Sequence, residues 1–180
     1  MTMDEVINVL SLQEEILQFN HFTNEDAWQL GIMLVAESKK RGLDCSITIR
    51  KNNGSTVFKY AGNTTTLNSD RFTDRTFNTV KIMEKSSLLL YSELKQNEET
   101  LEDIGLDEKE FSCMGGGFPI RVEEVGVIGA IVVTDQNPFI NHDIIVKTIG
   151  KYLHVECREF EHYKVAAKPH RLTCMNSQKK

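Results

Sequence analysis

The spacing of apolar positions changes period along this chain. Between Met3 and Phe19, Val6, Leu10 and Leu17 recur at helical intervals. Phe22-Thr23-Asn24-Glu25-Asp26 then reads as a helix start: Thr23 can cap, an acid stands at the third helical position, and Phe22 can staple the entry. Trp28, Leu30, Met33 and Leu34 carry that helix to Arg41-Gly42, where glycine ends it. The period then drops to two. Leu43, Cys45, Ile47 and Ile49 alternate with Asp44, Ser46, Thr48 and Arg50, which predicts a half-buried strand. Asn53-Gly54 predicts a hairpin turn, and Val57 to Tyr60 the returning strand.

Gly62 to Thr66 is a polar loop before a helix predicted from about Ser69 to Glu84, with Phe72, Val80 and Met83 on its buried side. Ser87-Leu88-Leu89-Leu90-Tyr91 reads as an apolar strand. The acids from Glu98 to Glu110 read as a solvated helical face. Ile120 to Glu123 and Val127 to Thr134 predict two further strands joined through Gly126. Asn137-Pro138-Phe139 interrupts the chain, and Asn141 can cap a last helix carrying Ile144, Ile145, Ile149, Tyr152 and Leu153. Hairpins with segregated helices indicate an α+β fold around a mainly antiparallel, five-stranded sheet. The last helix is apolar on more than one side, which predicts a second copy packed against it and hence a homo-oligomer.

Composition narrows the classes. The 180 residues fit one domain with one core, expected over 1–163, N-terminal helix included. A net charge of −5 argues against a general nucleic-acid surface. No apolar run is long enough to cross a bilayer. Met1-Thr2-Met3-Asp4-Glu5 lacks the basic region of a signal peptide. Cys45, Cys113, Cys157 and Cys174 are widely spaced, as free thiols of a reducing compartment would be, so a cytoplasmic location is expected. Lys164, Lys168, Arg171, Lys179 and Lys180 make 164–180 a basic stretch without carboxylates. Pro169 interrupts it, and it reads as a flexible tail.

The candidate chemistry centres on Ser112-Cys113-Met114-Gly115-Gly116-Gly117-Phe118-Pro119-Ile120. Three glycines open positive φ and close approach to the backbone, and Gly116 is expected in a conformation closed to larger residues. The segment is either a binding loop at a sheet edge or a bend that turns the chain into its strand. Cys113 and Met114 could give soft ligands to iron, or simply fill space beside the bend. Arg75 could clamp a carboxylate or phosphate bidentately, or make an ordinary surface pair. His154, Cys157 and His162 offer a metal pair without a third ligand in register, so no metal site is expected. No Gly-x-Ser-x-Gly, His-Glu-x-x-His or P-loop pattern occurs.

An ordered series of short motifs carries a family likeness: Phe22-x-Asn24-Glu25-Asp26-Ala27, Leu30-Gly31, Gly54-x-x-x-Phe58-x-Tyr60, Asn68-Ser69-Asp70, Asp74-Arg75, Ser86-Ser87, Gly115-Gly116-Gly117-Phe118-Pro119-Ile120, Gly126-x-Ile128-Gly129 and His142-Asp143. The chain resembles the haem-degrading-domain family, the GlcG/HbpS-like proteins, and especially its intracellular, uncharacterised branch. The resemblance implies a profilin-like α/β/α sandwich, assembly into dimers or larger rings, and haem as a possible cofactor. Two positions depart from the family pattern. Met114 stands where many relatives have histidine, and Arg75-Thr76 where many have Arg-Lys. The first loses an imidazole and the second a cation. The reading that follows is a small-molecule-binding protein for haem or another anionic cofactor, with Arg75, Cys113, Met114, Gly115, Gly116 and Gly117 at its site. The alternatives are a non-enzymatic oligomeric scaffold that binds a protein partner, and a haem-degrading enzyme.

Overall fold

The computed structural model describes residues 2–114, 116–134 and 137–155. The basic stretch 164–180, with Gly115, Cys157, His162 and Cys174, lies outside them. The elements are α1 (Met3–Ile16), α2 (Asn24–Lys40), β1 (Ser46–Lys51), β2 (Thr56–Ala61), α3 (Leu67–Met83), α4 (Ser87–Asn97), β3 (Gly116–Val122), β4 (Gly126–Thr134) and α5 (Pro138–Leu153). The sheet is antiparallel in the order β2-β1-β4-β3.

Side chains alternate across this sheet, so each face has its own composition. Ile47, Ile49, Phe118, Ile120, Ile131 and Val133 point to one face and form the main core with Leu30 and Leu34 of α2 and Ile144, Ile145 and Ile149 of α5. The other face takes α3, through Phe77 and Val80 against Ala130 and Val132. Helices therefore cover both faces. α1 packs on α4, where Val6 and Leu10 meet Leu88 and Leu89. Polar ties join α2 to α5: Arg41 reaches Asp143 at 2.8 Å, and the Tyr152 hydroxyl donates to Asp26 at 2.6 Å. Thr23 caps α2 in a capping box with Asp26, as its sequence predicts.

The sheet has four strands where the sequence predicts five. Ser87 to Tyr91 is the first part of helix α4, which Ser86 caps by accepting from the Leu89 amide at 3.2 Å. Leu88 and Leu89 enter one buried cluster, and Leu90 and Leu94 another. A helix buried on two sides reads as a continuous apolar run, and its period is lost. The acidic segment after it is a series of turns anchored by buried Leu101 and Leu106, not a helix. Gly105 adopts φ +80° there, which glycine tolerates. Asn137, not Asn141, caps α5: its Oδ1 accepts from the amides of Phe139 and Ile140. The extra apolar side of α5 is filled within the chain, since α5 touches α2 and α4 as well as β3 and β4.

The glycine stretch is also corrected. Gly116 and Gly117 open strand β3, and neither has a positive φ. They are glycines because two helices come too close for a side chain. A Cβ on Gly116 would stand 2.3 Å from Cβ of Asn141 and 2.9 Å from its carbonyl carbon. On Gly117 it would stand 2.7 Å from methyls of both Thr76 and Val80. Gly116→Ala should therefore lower stability by roughly 1–3 kcal/mol, the usual scale of overpacking. Urea unfolding measures this, and an unchanged midpoint would show that α5 yields without cost.

Candidate functional site

Residues 110–112 are sewn onto the flank of α3. The Ser112 amide donates to Oγ1 of Thr79 at 2.9 Å, and Asn78 donates to the Glu110 carbonyl at 3.0 Å. Nε and one Nη of Arg75 both reach the Phe111 carbonyl at 3.3 Å, and the guanidinium lies over the Phe72 ring. Arg75 is thus held rather than free to swing. Beside it lies an open cleft of about 380 Å³ lined by Arg71, Asp74, Arg75, Asn78, Lys109 and Glu110. Asp74 is already engaged by Arg50 at 2.8 Å. The cleft accordingly presents three cations to a ligand, against Glu110 and the ion-paired Asp74.

The sequence-predicted residues do not share one pocket. Arg75 faces this cleft. Cys113 turns the other way, into Leu90, Leu94, Leu101 and Leu106, and burial pushes its thiol up. A thiol that resists ionisation is a poor iron ligand. Met114 is 51% exposed, and its amide donates to the Ser112 hydroxyl. Gly116 and Gly117 serve packing, and the Gly117 amide donates to Oγ of Ser87 at 2.8 Å. His154 ends α5 at φ 57°. Among the described residues no group of three His, Cys, Asp or Glu side chains is placed to hold a metal ion.

Sequence reasoning passed over a buried polar layer between α1, α4 and α5. His142 is 1% exposed, and its Nε2 lies 2.9 Å from Oε1 of Gln13. An amide oxygen can only accept, so Nε2 carries the hydrogen. The Nδ1 atom has no hydrogen-bond partner, nor does either polar atom of the fully buried Asn141 side chain. Burial pulls His142 down to about 4, against a small opposing effect of Asp143. Glu14 accepts from the Ser86 amide at 2.7 Å, and burial pushes its carboxyl up. The sequence signal was faint: His142-Asp143 recurs in the family-like series, but a lone histidine at a helix start is ordinary.

The family pattern described as haem degrading protein HbpS-like matches residues 22–149. The chain belongs to this family. A UPF0303 protein of Serratia proteamaculans is 33% identical over 154 residues, covering 85% of this chain and 95% of that one. A UPF0303 protein of Yersinia enterocolitica is 28% identical over 154 residues, covering 85% and 91%. Among solved structures, the Ybr137w protein superposes with a TM-score of 0.76 at 20% identity, covering 87% of this chain and 90% of that one. HbpS gives 0.58 at 21% identity, covering 76% and 92%. PduOC in complex with heme gives 0.60 at 15% identity, covering 77% and 99%. At these identities the structures share the fold. The HbpS-like region includes Arg75, the 112–117 segment and His142, and excludes 164–180.

The buried histidine sets a pH dependence. His142 is neutral when folded and protonates in the unfolded chain near the ordinary histidine value of 6.5. Its stabilisation is therefore complete above 6.5 and is lost as pH falls toward about 4. The loss is roughly 3 kcal/mol. Glu14 acts in the opposite sense, since a raised carboxyl favours the folded state at low pH. Urea midpoints at neutral pH and pH 4.5 should fall less in His142→Gln than in the parent; equal slopes would place the acid sensitivity elsewhere.

Proposed function

We propose that this chain is a small-molecule-binding protein that receives haem or another anionic cofactor at the cleft of Arg71, Arg75 and Lys109. The observation that carries this reading is the unequal pairing of charges there: Asp74 is drawn off by Arg50, and three cations line the opening. A guanidinium gives two parallel donors to a carboxylate such as a haem propionate. The haem complex of PduOC, which shares the fold, supports haem as the first ligand to test. Met114 is the exposed thioether just after the segment tied to α3, whereas Cys113 is buried. Holding an anion needs no catalytic group, so binding alone is the activity proposed. Neither Cys45 nor Cys113 is in a disulfide, which fits the cytoplasm. No helix among the described residues is long and apolar enough to cross a membrane.

Haem titration of the purified chain tests this. Arg75→Ala should weaken binding by roughly 1.5–3 kcal/mol, the scale of a charge-assisted hydrogen bond, and leave the Soret band unmoved. A Soret shift in Met114→Ala would instead make the thioether an iron ligand. Unchanged affinity and spectrum in both variants would remove the cleft as the site. Haem turnover with a reductant would move the reading to the enzyme alternative.

A second observation favours self-association. Trp28 is 55% exposed and Ile32 47%, one turn apart on α2, which packs on β2. The Trp28 ring meets Phe58 edge-on, with centroids 6.1 Å apart. β2 is an outer strand whose far side has no neighbour in the sheet among the described residues. An apolar patch beside an unpaired strand suits a second copy of the chain. Light scattering should report a dimer or larger assembly at micromolar concentration and a monomer for Trp28→Glu/Ile32→Glu. A monomeric parent would overturn this.

A further inference from the structure

Two stretches of this chain are opposite in charge, and the cationic cleft uses neither. Glu98, Glu99, Glu102, Asp103, Asp107 and Glu108 lie exposed on the turns after α4. Among the described residues no Lys, Arg or His side chain forms an ion pair with any of these acids. The stretch 164–180 is the reverse: it carries Lys164, Lys168, Arg171, Lys179 and Lys180 and no carboxylate.

The acids border an apolar groove. Met83 at the end of α3, Leu90 and Leu94 of α4, and Ile104 line a space of about 290 Å³ whose rim is Glu93, Gln96, Asn97 and Glu99. The apolar side chains belong to the satellite cluster that also holds Leu101, Leu106 and Cys113. Met83 and Ile104 are only half-buried, so this cluster is open on the groove side. Glu93 is held by Lys85 at 2.9 Å. Glu99 accepts from the neutral Asn97 amide, which leaves its charge unmatched. An apolar floor under an acidic rim suits an occupant that is cationic and carries apolar side chains.

We propose that the basic stretch 164–180 docks on its own chain at this groove, with Leu172 and Met175 against the apolar floor and the cations against the acids of 98–108. The sequence matches the site. Leu172 and Met175 stand between Arg171 and Lys179-Lys180, so the apolar pair is flanked by cations as the groove is flanked by acids. A methionine adapts readily to an irregular wall. Reach is no obstacle. From Val155 to Leu172 the chain can span roughly 55 Å at about 3.3 Å per residue. A domain of this size is about 40 Å across. Exposed ion pairs are weak one by one. Tethering raises the local concentration of the stretch to the order of millimolar, so weak contacts suffice and an untethered basic partner competes poorly. Charge also decides between the two cavities, since the cleft of Arg71, Arg75 and Lys109 repels a cationic segment. Docking here is independent of any ligand in that cleft.

A nitroxide on Cys174 of the full chain reports where the stretch lies. Cys45 and Cys113 are buried, and Cys157→Ser removes the other thiol. In dilute salt the amide signals of residues 83–104 should be broadened, and those of α2 should not. The broadening should be lost at 1 M salt, where the screening length is about 3 Å. It should also be lost in Leu172→Asp/Met175→Asp, which alters no residue of the described domain. Absence of broadening at 83–104, broadening centred elsewhere, or broadening indifferent to salt or to the double variant would each overturn the proposal. Broadening that persists in full when the nitroxide and the nitrogen label are on separate chains would place the stretch on a second copy and would also overturn it.

Discussion

Two adjacent residues without side chains set the spacing on which this fold depends. Gly116 lets α5 down onto one face of the sheet, and Gly117 lets α3 down onto the other. The Gly117 amide also holds the Ser87 hydroxyl near the start of α4. Three helices thus take their positions from one dipeptide at the mouth of β3. A methyl group at either residue would push a helix away, and interiors packed at crystal density absorb little of that. The polar groups of interest lie within reach of this point: Asn141 above Gly116, Thr76 above Gly117, and the tethered 110–112 segment just before them.

This arrangement separates two kinds of polar chemistry. The cleft of Arg71, Arg75 and Lys109 is open, charged and built on the outer flank of α3. On the inner flank of the same helix, Ser46, Thr48 and Thr76 are buried against the sheet beside Phe77 and Val80. Asp74 belongs to both. By pairing with Arg50 it leaves the cleft cationic and the inner flank neutral. One carboxylate therefore sets the electrostatic character of two neighbouring surfaces.

Much of the fold was legible because local signals agreed with the tertiary result. Thr23 with Asp26 marked α2, alternation through Ile47 and Ile49 marked β1, and Asn53-Gly54 marked the hairpin. The failures have physical causes. Leu88 to Leu90 are buried on two sides of a helix, which erases the period that tells helix from strand. Leu101 and Leu106 pin irregular turns that an acidic composition disguises as a helix face. For the site, Arg75 was singled out from its residue type, and it lines an open cleft. Cys113 was misjudged because its sequence neighbourhood is shared with the glycines while its side chain is not. Asn141 and His142 could not be recognised, since their interest lies in partners they lack, and only coordinates show a missing bond.

The two margins of the sheet are unequal. Along β3, Phe19 runs beside Val122 and exchanges backbone hydrogen bonds with Arg121 and Glu123, while Pro119 has no N–H to offer. Along β2 nothing of the sort is present among the described residues. Among the described residues β2 is therefore the more open margin for main-chain pairing. The short run through Phe19 thus shields the Val122 end of β3 from strand addition, a role set far from any ligand.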